Sequence, residues 1–217
     1  MTGAGVYFSP AEFIVMLEIV GGGPCSVLLG REELDDGALT GAFVALFRRG
    51  LICREGERLE LSATGEMFRR IRGAGQAVVL SRSKRQEKLA ICYVDEGGVE
   101  LVEPVDAILR EQYRVQRMDV EGLKNWMLDT GLLSIPALWD EDISERNEVL
   151  TQERVSPPGD VLLLLERYHN GGGLISTFEV RRWRGNRLIV RDGVEACLYT
   201  AQSLDRMLAD CFGKGAL

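Results

Sequence analysis

Two stretches of this 217-residue chain are written to fold back on themselves. Residues 89–94 ("LAICYV") and 99–102 are apolar, β-rich runs separated by Asp95-Glu96-Gly97-Gly98. Residues 174–183 and 187–191 flank Gly185-Asn186 in the same manner. Turn residues that tolerate positive φ, set between strand-forming runs, specify β-hairpins and therefore antiparallel pairing. Each hairpin follows a further apolar run (77–80 and 161–165) and precedes a helix-like segment (104–113 and 203–212). The second of those segments carries Leu204, Met207, Leu208 and Phe212 at helical spacing. Strand, hairpin, helix thus occurs twice in one order, which predicts an α+β fold with a pseudo-two-fold repeat of two lobes.

Before the first lobe the texture is helical. Ser9-Pro10-Ala11-Glu12 has an N-cap serine, proline at the first helical position and glutamate at the capping-box position. Phe13, Ile14, Leu17 and Val20 follow at helical spacing, and Gly21-Gly22-Gly23 ends the run. A short helix is expected over 24–29 and a longer one over 37–49, with Leu39, Phe43, Leu46 and Phe47 on one stripe. "GLICREGERLEL" (50–61) reads as two short strands around a Glu-Gly turn, and 66–71 ("EMFRRI") as another helix. Helix, helix, helix, wing, helix is the element order of a winged helix, which residues 1–73 resemble. The expected organisation is a winged-helix-like region at 1–73, a first α+β lobe with its following helix (119–133) at 74–155, and a second lobe at 156–217. The two lobes are able to pack as one domain. An acidic stretch (139–154) and Ser156-Pro157-Pro158-Gly159 supply the connection.

Most winged helices bind DNA, but the charges oppose that here. The chain holds 33 acids against 26 basic residues, a net −7, which repels phosphate at long range. Residues 1–73 contain eight arginines, no lysine and ten acids. The early turns of the 37–49 helix, which would enter the groove, offer only Thr40 as a side-chain hydrogen bonder. A stronger basic cluster lies at Arg181, Arg182, Arg184, Arg187 and Arg191 around Trp183. It fits an acidic peptide or a stacked base, or else a solvated hairpin paired with carboxylates. Strand alternation sets Phe178, Val180, Arg182 and Arg184 on one face and Thr177, Glu179, Arg181 and Trp183 on the other. Trp183, as a partner contact or as a core residue, and Leu138-Trp139 in the acidic stretch complete the candidate partner-binding residues.

Reactive constellations are not evident. The one histidine, His169, opens a glycine-rich turn, and the five cysteines are scattered without C-x-x-C spacing. No metal site and no cofactor is therefore expected. Nothing in the spacing supports a dyad of His169 with Cys197. Asp129-Thr130-Gly131 spells an aspartic-protease triplet but sits at a helix end, where Thr-Gly is a stop signal. The glycine triplets at 21–23 and 171–173 lack phosphate-loop spacing. Reduced cysteines and the absence of a spanning run predict a cytoplasmic protein without membrane insertion.

An acidic, two-lobed α/β chain with paired strand-hairpin-helix halves and an opening helix resembles the EspG family of type VII secretion chaperones, strands such as 77–80 and 89–94 falling where that architecture has antiparallel strands. The resemblance implies a non-enzymatic chaperone or adaptor that binds a helical secretion substrate. The alternative is a winged-helix transcriptional regulator.

Overall fold

The computed structural model describes residues 5–27, 33–56, 58–82, 87–107, 110–136, 160–183 and 186–213. The fold is mixed α+β with a large antiparallel sheet. Its elements run β1 (Val6–Phe8), α1 (Pro10–Val20), α2 (Asp36–Arg48), β2 (Ile52–Glu55), β3 (Arg58–Leu61), α3 (Glu66–Gly73), β4 (Gln76–Arg82), β5 (Glu87–Asp95), β6 (Gly98–Ala107), β7 (Arg110–Met118), α4 (Val120–Asp129), β8 (Asp160–His169), β9 (Leu174–Trp183), β10 (Asn186–Arg191), β11 (Glu195–Leu198) and α5 (Ala201–Phe212). Nine strands form one sheet in the order β1-β7-β6-β5-β4-β8-β9-β10-β11, and β2 pairs only with β3. The chain divides into two compact units.

The first unit holds β1, α1, α2, the β2–β3 hairpin, α3, most of β5, β6, β7 and Asn170–Gly172. Its central helix starts as the sequence predicts. Ser9 Oγ accepts from the Glu12 N–H at 3.1 Å, and Glu12 Oε2 accepts from the Ser9 N–H at 2.8 Å. Every residue from Ala11 to Leu17 is buried, so α1 is enclosed rather than amphipathic. Phe68 of α3 lies between Phe8 at 5.0 Å and Phe13 at 5.2 Å, and Phe13 meets Tyr113 edge-on at 5.5 Å. Burial, with Glu111 and Glu33 nearby, pushes the Tyr113 phenol up to about 12.

Residues 104–113 correct the sequence expectation. The described residues among them are strand: β6 continues to Ala107 and β7 begins at Arg110, with Pro104 opposite Tyr113 and Val105 opposite Gln112. Proline after a strand-like run imitates a helix start, whereas the period-two burial of Tyr113 and Val115 marks a strand. Cross-strand ion pairs fasten it. Arg114 Nε donates to Glu103 at 2.5 Å, and Arg117 donates to Asp95 at 3.0 and 3.1 Å and to Glu100 at 2.9 Å. Arg70 of α3 reaches the same Glu100, which is 1% exposed. Burial raises the Asp95 carboxyl, but the Arg117 hydrogen bond, the Gly97 N–H and the charges of Arg117 and Arg70 hold it below the usual range.

Other expectations shift as well. Residues 24–27 are not helical, and 28–29 lie outside the described residues. The helix expected over 119–133 ends at Asp129, where Gly131 takes φ +69°. Strands β1 and β11, too short to show a period, were not expected.

The second unit holds most of β4, the start of β5, α4, β8–β11 and α5. Leu163, Leu165, Phe178, Val180, Leu188 and Val190 are buried along its strands. The buried side of α5 is Leu204, Met207, Leu208, Cys211 and Phe212, and its capping box pairs Thr200 with Ser203. Lys124 of α4 donates to Asp205 of α5 at 2.7 Å. The Tyr199 hydroxyl donates to the Ser134 carbonyl at 2.9 Å, and the Arg187 guanidinium lies 6.0 Å from the Tyr199 ring.

Truncating Phe68 to alanine removes the ring shared by Phe8 and Phe13. Phe68→Ala is expected to cost about 3–5 kcal/mol in urea unfolding, since this site lies between packed elements that cannot collapse freely.

Candidate docking surface

Helix α2 is written in small and apolar residues, Asp36-Gly-Ala-Leu-Thr-Gly-Ala-Phe-Val-Ala-Leu-Phe-Arg48, yet it buries little of them. Asp35 caps its start, accepting from the Ala38 N–H at 2.6 Å, and Thr40 Oγ1 donates back to the Asp36 carbonyl at 2.8 Å. Arg49 closes the other end, and Gly50 follows at φ +66°. Only Ala42 and Leu46 are buried.

Arg49 tethers the C-terminal end of α2. Its Nη1 donates to Glu12 Oε1 at 2.8 Å and its Nη2 to the Tyr7 carbonyl at 2.9 Å, while the guanidinium stands 5.5 Å from the Phe8 ring. That ties the end of α2 to the start of α1 and to β1. The opposite face is left open: Val44 is 41% exposed and Phe47 49%, with Thr40, Gly41 and Arg48 exposed around them. Fully covering a valine or phenylalanine stabilises by about 1.5–3 kcal/mol each, so a partner that lies on this face gains part of that. The chain already covers about half of each, so what a partner can add is the remaining half.

The β2–β3 hairpin adjoins α2 through the Leu51 N–H, which donates to the Leu46 carbonyl at 3.0 Å. Ile52 is buried, while Cys53, Arg54, Glu55, Leu59 and Glu60 are exposed. The Glu60 carboxyl is raised because its protonated form donates a hydrogen bond to Glu55 and because the charge of Glu55 lies beside it. Two acids sharing one patch on a wing oppose a phosphate backbone.

The residues singled out from the sequence fall elsewhere. Phe178 and Val180 of β9 are buried at 3% and 2%, as the apolar half of that strand face suggests. Arg181 is largely covered and pairs with Glu179, and Arg182 is exposed with its Cα opposite Arg187 and Asp160. Trp183 ends β9, its Cα opposite Asn186; its side chain, like Arg184, Leu138 and Trp139, lies outside the described residues. Of the stripe Leu39, Phe43, Leu46 and Phe47 that the sequence sets on this helix, the structure buries Leu46, half-buries Leu39 and Phe43, and leaves Phe47 exposed.

The residues weighed for chemistry are accounted for structurally. His169 is exposed at the end of β8, with its N–H donating to the Gly173 carbonyl at 3.0 Å. Desolvation pushes the Cys197 thiol up, against the opposing influence of Arg206 and Ser203, which disfavours the nucleophilic thiolate. Among the described residues no three His, Cys, Asp or Glu side chains gather as a metal site needs. The glycine-rich turn at 171–173 serves close packing. Gly171, at φ +72°, would place a Cβ 2.3 Å from the Pro24 carbonyl carbon, and Asn170 accepts from the Ser26 N–H at 3.0 Å while donating to the Ile71 carbonyl at 2.8 Å. No helix among the described residues is long and apolar enough to cross a membrane. No protein-family model matches the chain, and no curated protein matches it either.

Neighbouring positions on α2 are expected to respond unequally. Phe47→Asp should cost about 1–2 kcal/mol, because half the ring is in water already and a carboxylate so near the C-terminal end of α2 opposes the helix dipole. Leu46→Ala, one residue away, should cost about 2–5 kcal/mol. Chemical denaturation of the two variants measures the difference.

Proposed function

We propose that this chain is a non-enzymatic, cytoplasmic chaperone or adaptor that binds a helical protein, and that α2 is where the partner lies. The observation that carries the reading is the open apolar face of α2, with Val44 and Phe47 exposed on it. An amphipathic helix laid against such a face buries both side chains and needs no reactive group.

The strand order supports the further likeness to the EspG secretion chaperones. Four strands and a helix, β4–β7 then α4, are followed by four strands and a helix, β8–β11 then α5. Such an arrangement is what a pseudo-two-fold repeat produces, with a fourth strand in each half where the sequence suggested three. The client would then be a helical substrate of a type VII-like secretion system, kept soluble until export.

A second reading, a winged-helix regulator, is favoured by the order α1, α2, β2–β3, α3 and by the separateness of the β2–β3 hairpin. Against it stand Val44 and Phe47 on the helix that would enter the groove, and the paired acids Glu55 and Glu60 on the wing.

Affinity purification from the native host separates the readings. Wild-type protein should retain a small helical protein, and Phe47→Asp should retain at least about tenfold less, in line with loss of a buried aromatic anchor. Equal capture by both forms removes α2 from the account. Salt-dependent shift of random duplex DNA at physiological ionic strength would instead favour the regulator.

A further inference from the structure

Residues four apart on a helix line up as a ridge inclined to its axis. On α2 one such ridge is Asp36, Thr40, Val44 and Arg48, and all four are exposed. Thr40 spends its hydroxyl on the Asp36 carbonyl, so the middle of the ridge offers no free donor. The row beside it is Gly37, Gly41 and Ala45, and a Cβ built on Gly41 meets nothing within 4 Å. A ridge about 18 Å long therefore stands beside a shallow trough, with the half-exposed Phe47 on its other flank.

The charges around this ridge are mostly acidic. Between positions 33 and 60 the exposed acids are Glu33, Asp35, Asp36, Glu55 and Glu60, and the exposed bases are Arg48, Arg49 and Arg54. Arg49 is already paired with Glu12, and Arg54 donates to the Gly56 carbonyl. Glu57 and Arg58 at the hairpin turn cancel in charge. Three of the acids stand at the start of α2, more than the roughly half positive charge of a helix start offsets.

We propose that the helix which covers α2 is cationic and amphipathic. Its apolar side lies on Val44 and Phe47 along the trough of small residues, and its lysines or arginines stand over the acidic start of α2. Ridges seated in such grooves cross at about 50°, which carries the partner along the line from Asp36 to Arg48. An acidic helix would bring like charges together at Asp36. The charges are exposed and screened beyond about 8 Å at physiological ionic strength, so they select and steer the partner while the apolar anchors hold it. This inference rests on the reading of α2 as a docking surface and adds the chemistry of what docks there.

Two synthetic amphipathic peptides, each about 18 residues long so as to span the ridge, test it. They share a leucine face and carry either lysine or glutamate on the other. In fluorescence anisotropy against the full chain, the lysine peptide should bind at least about tenfold tighter than the glutamate peptide, by a margin that narrows as salt rises. Phe47→Ser should weaken both peptides. Asp36→Lys should weaken the lysine peptide by at least about threefold. Glu195→Lys makes the same change of net charge at an exposed position of β11 and should alter that affinity by less than about twofold. Circular dichroism confirms that the variants are folded. Equal binding of the two peptides that is lost in Phe47→Ser would overturn the cationic partner and leave α2 standing as a docking surface. Equal effects of Asp36→Lys and Glu195→Lys would also overturn it, because the attraction would then be to the acidic chain as a whole. Binding of neither peptide, or binding indifferent to Phe47→Ser, would overturn this inference together with the reading it rests on.

Discussion

One carboxylate organises the N-terminal helices. Glu12 uses one oxygen to close the capping box of α1 and the other to hold Arg49 at the end of α2. Its side chain is 11% exposed and that of Arg49 40%, so the pair contributes modestly to stability, on the order of 1 kcal/mol. Its consequence is positional. Arg49, tied to Glu12 and to the Tyr7 carbonyl, tethers the end of α2, on which Ala42 and Leu46 face inward and Val44 and Phe47 face water.

The same economy of charge runs through β5–β7. Arg117 bridges Asp95 and Glu100, and Arg70 brings α3 to Glu100. Arginine suits these places because one planar group can donate to two carboxylates at once. Two arginines meet two carboxylates here, so the surplus of acids over bases in the whole chain lies outside this network. What remains outside, at Glu33, Asp36, Glu55 and Glu60, lies along α2 and its hairpin and discourages nucleic acid there.

Local signals were legible wherever the physics is local. Ser9-Pro10-Ala11-Glu12 announced its capping box, Asp95-Gly98 its turn, and 50–61 its hairpin, because each depends on residues a few positions apart. The misreading of 104–113 arose because what holds it as a strand is distant in sequence: Arg114 and Arg117 are satisfied by Glu103, Glu100 and Asp95, partners that no helical count can see. Exposure of α2 was hidden for a related reason. An apolar helix looks the same in sequence whether its neighbours cover one side or two, and which side is covered is a tertiary fact. The arginine-rich β9–β10 hairpin drew attention by composition, although Arg181 is already committed to Glu179.

The central claim is that the outward face of α2 meets another polypeptide. Placing a photo-cross-linking amino acid at Val44, and in a second protein at Arg182, and irradiating living host cells tests it most directly. The account predicts a discrete protein adduct from position 44 and little from position 182. An adduct to nucleic acid at position 44, or protein adducts only from position 182, would contradict it.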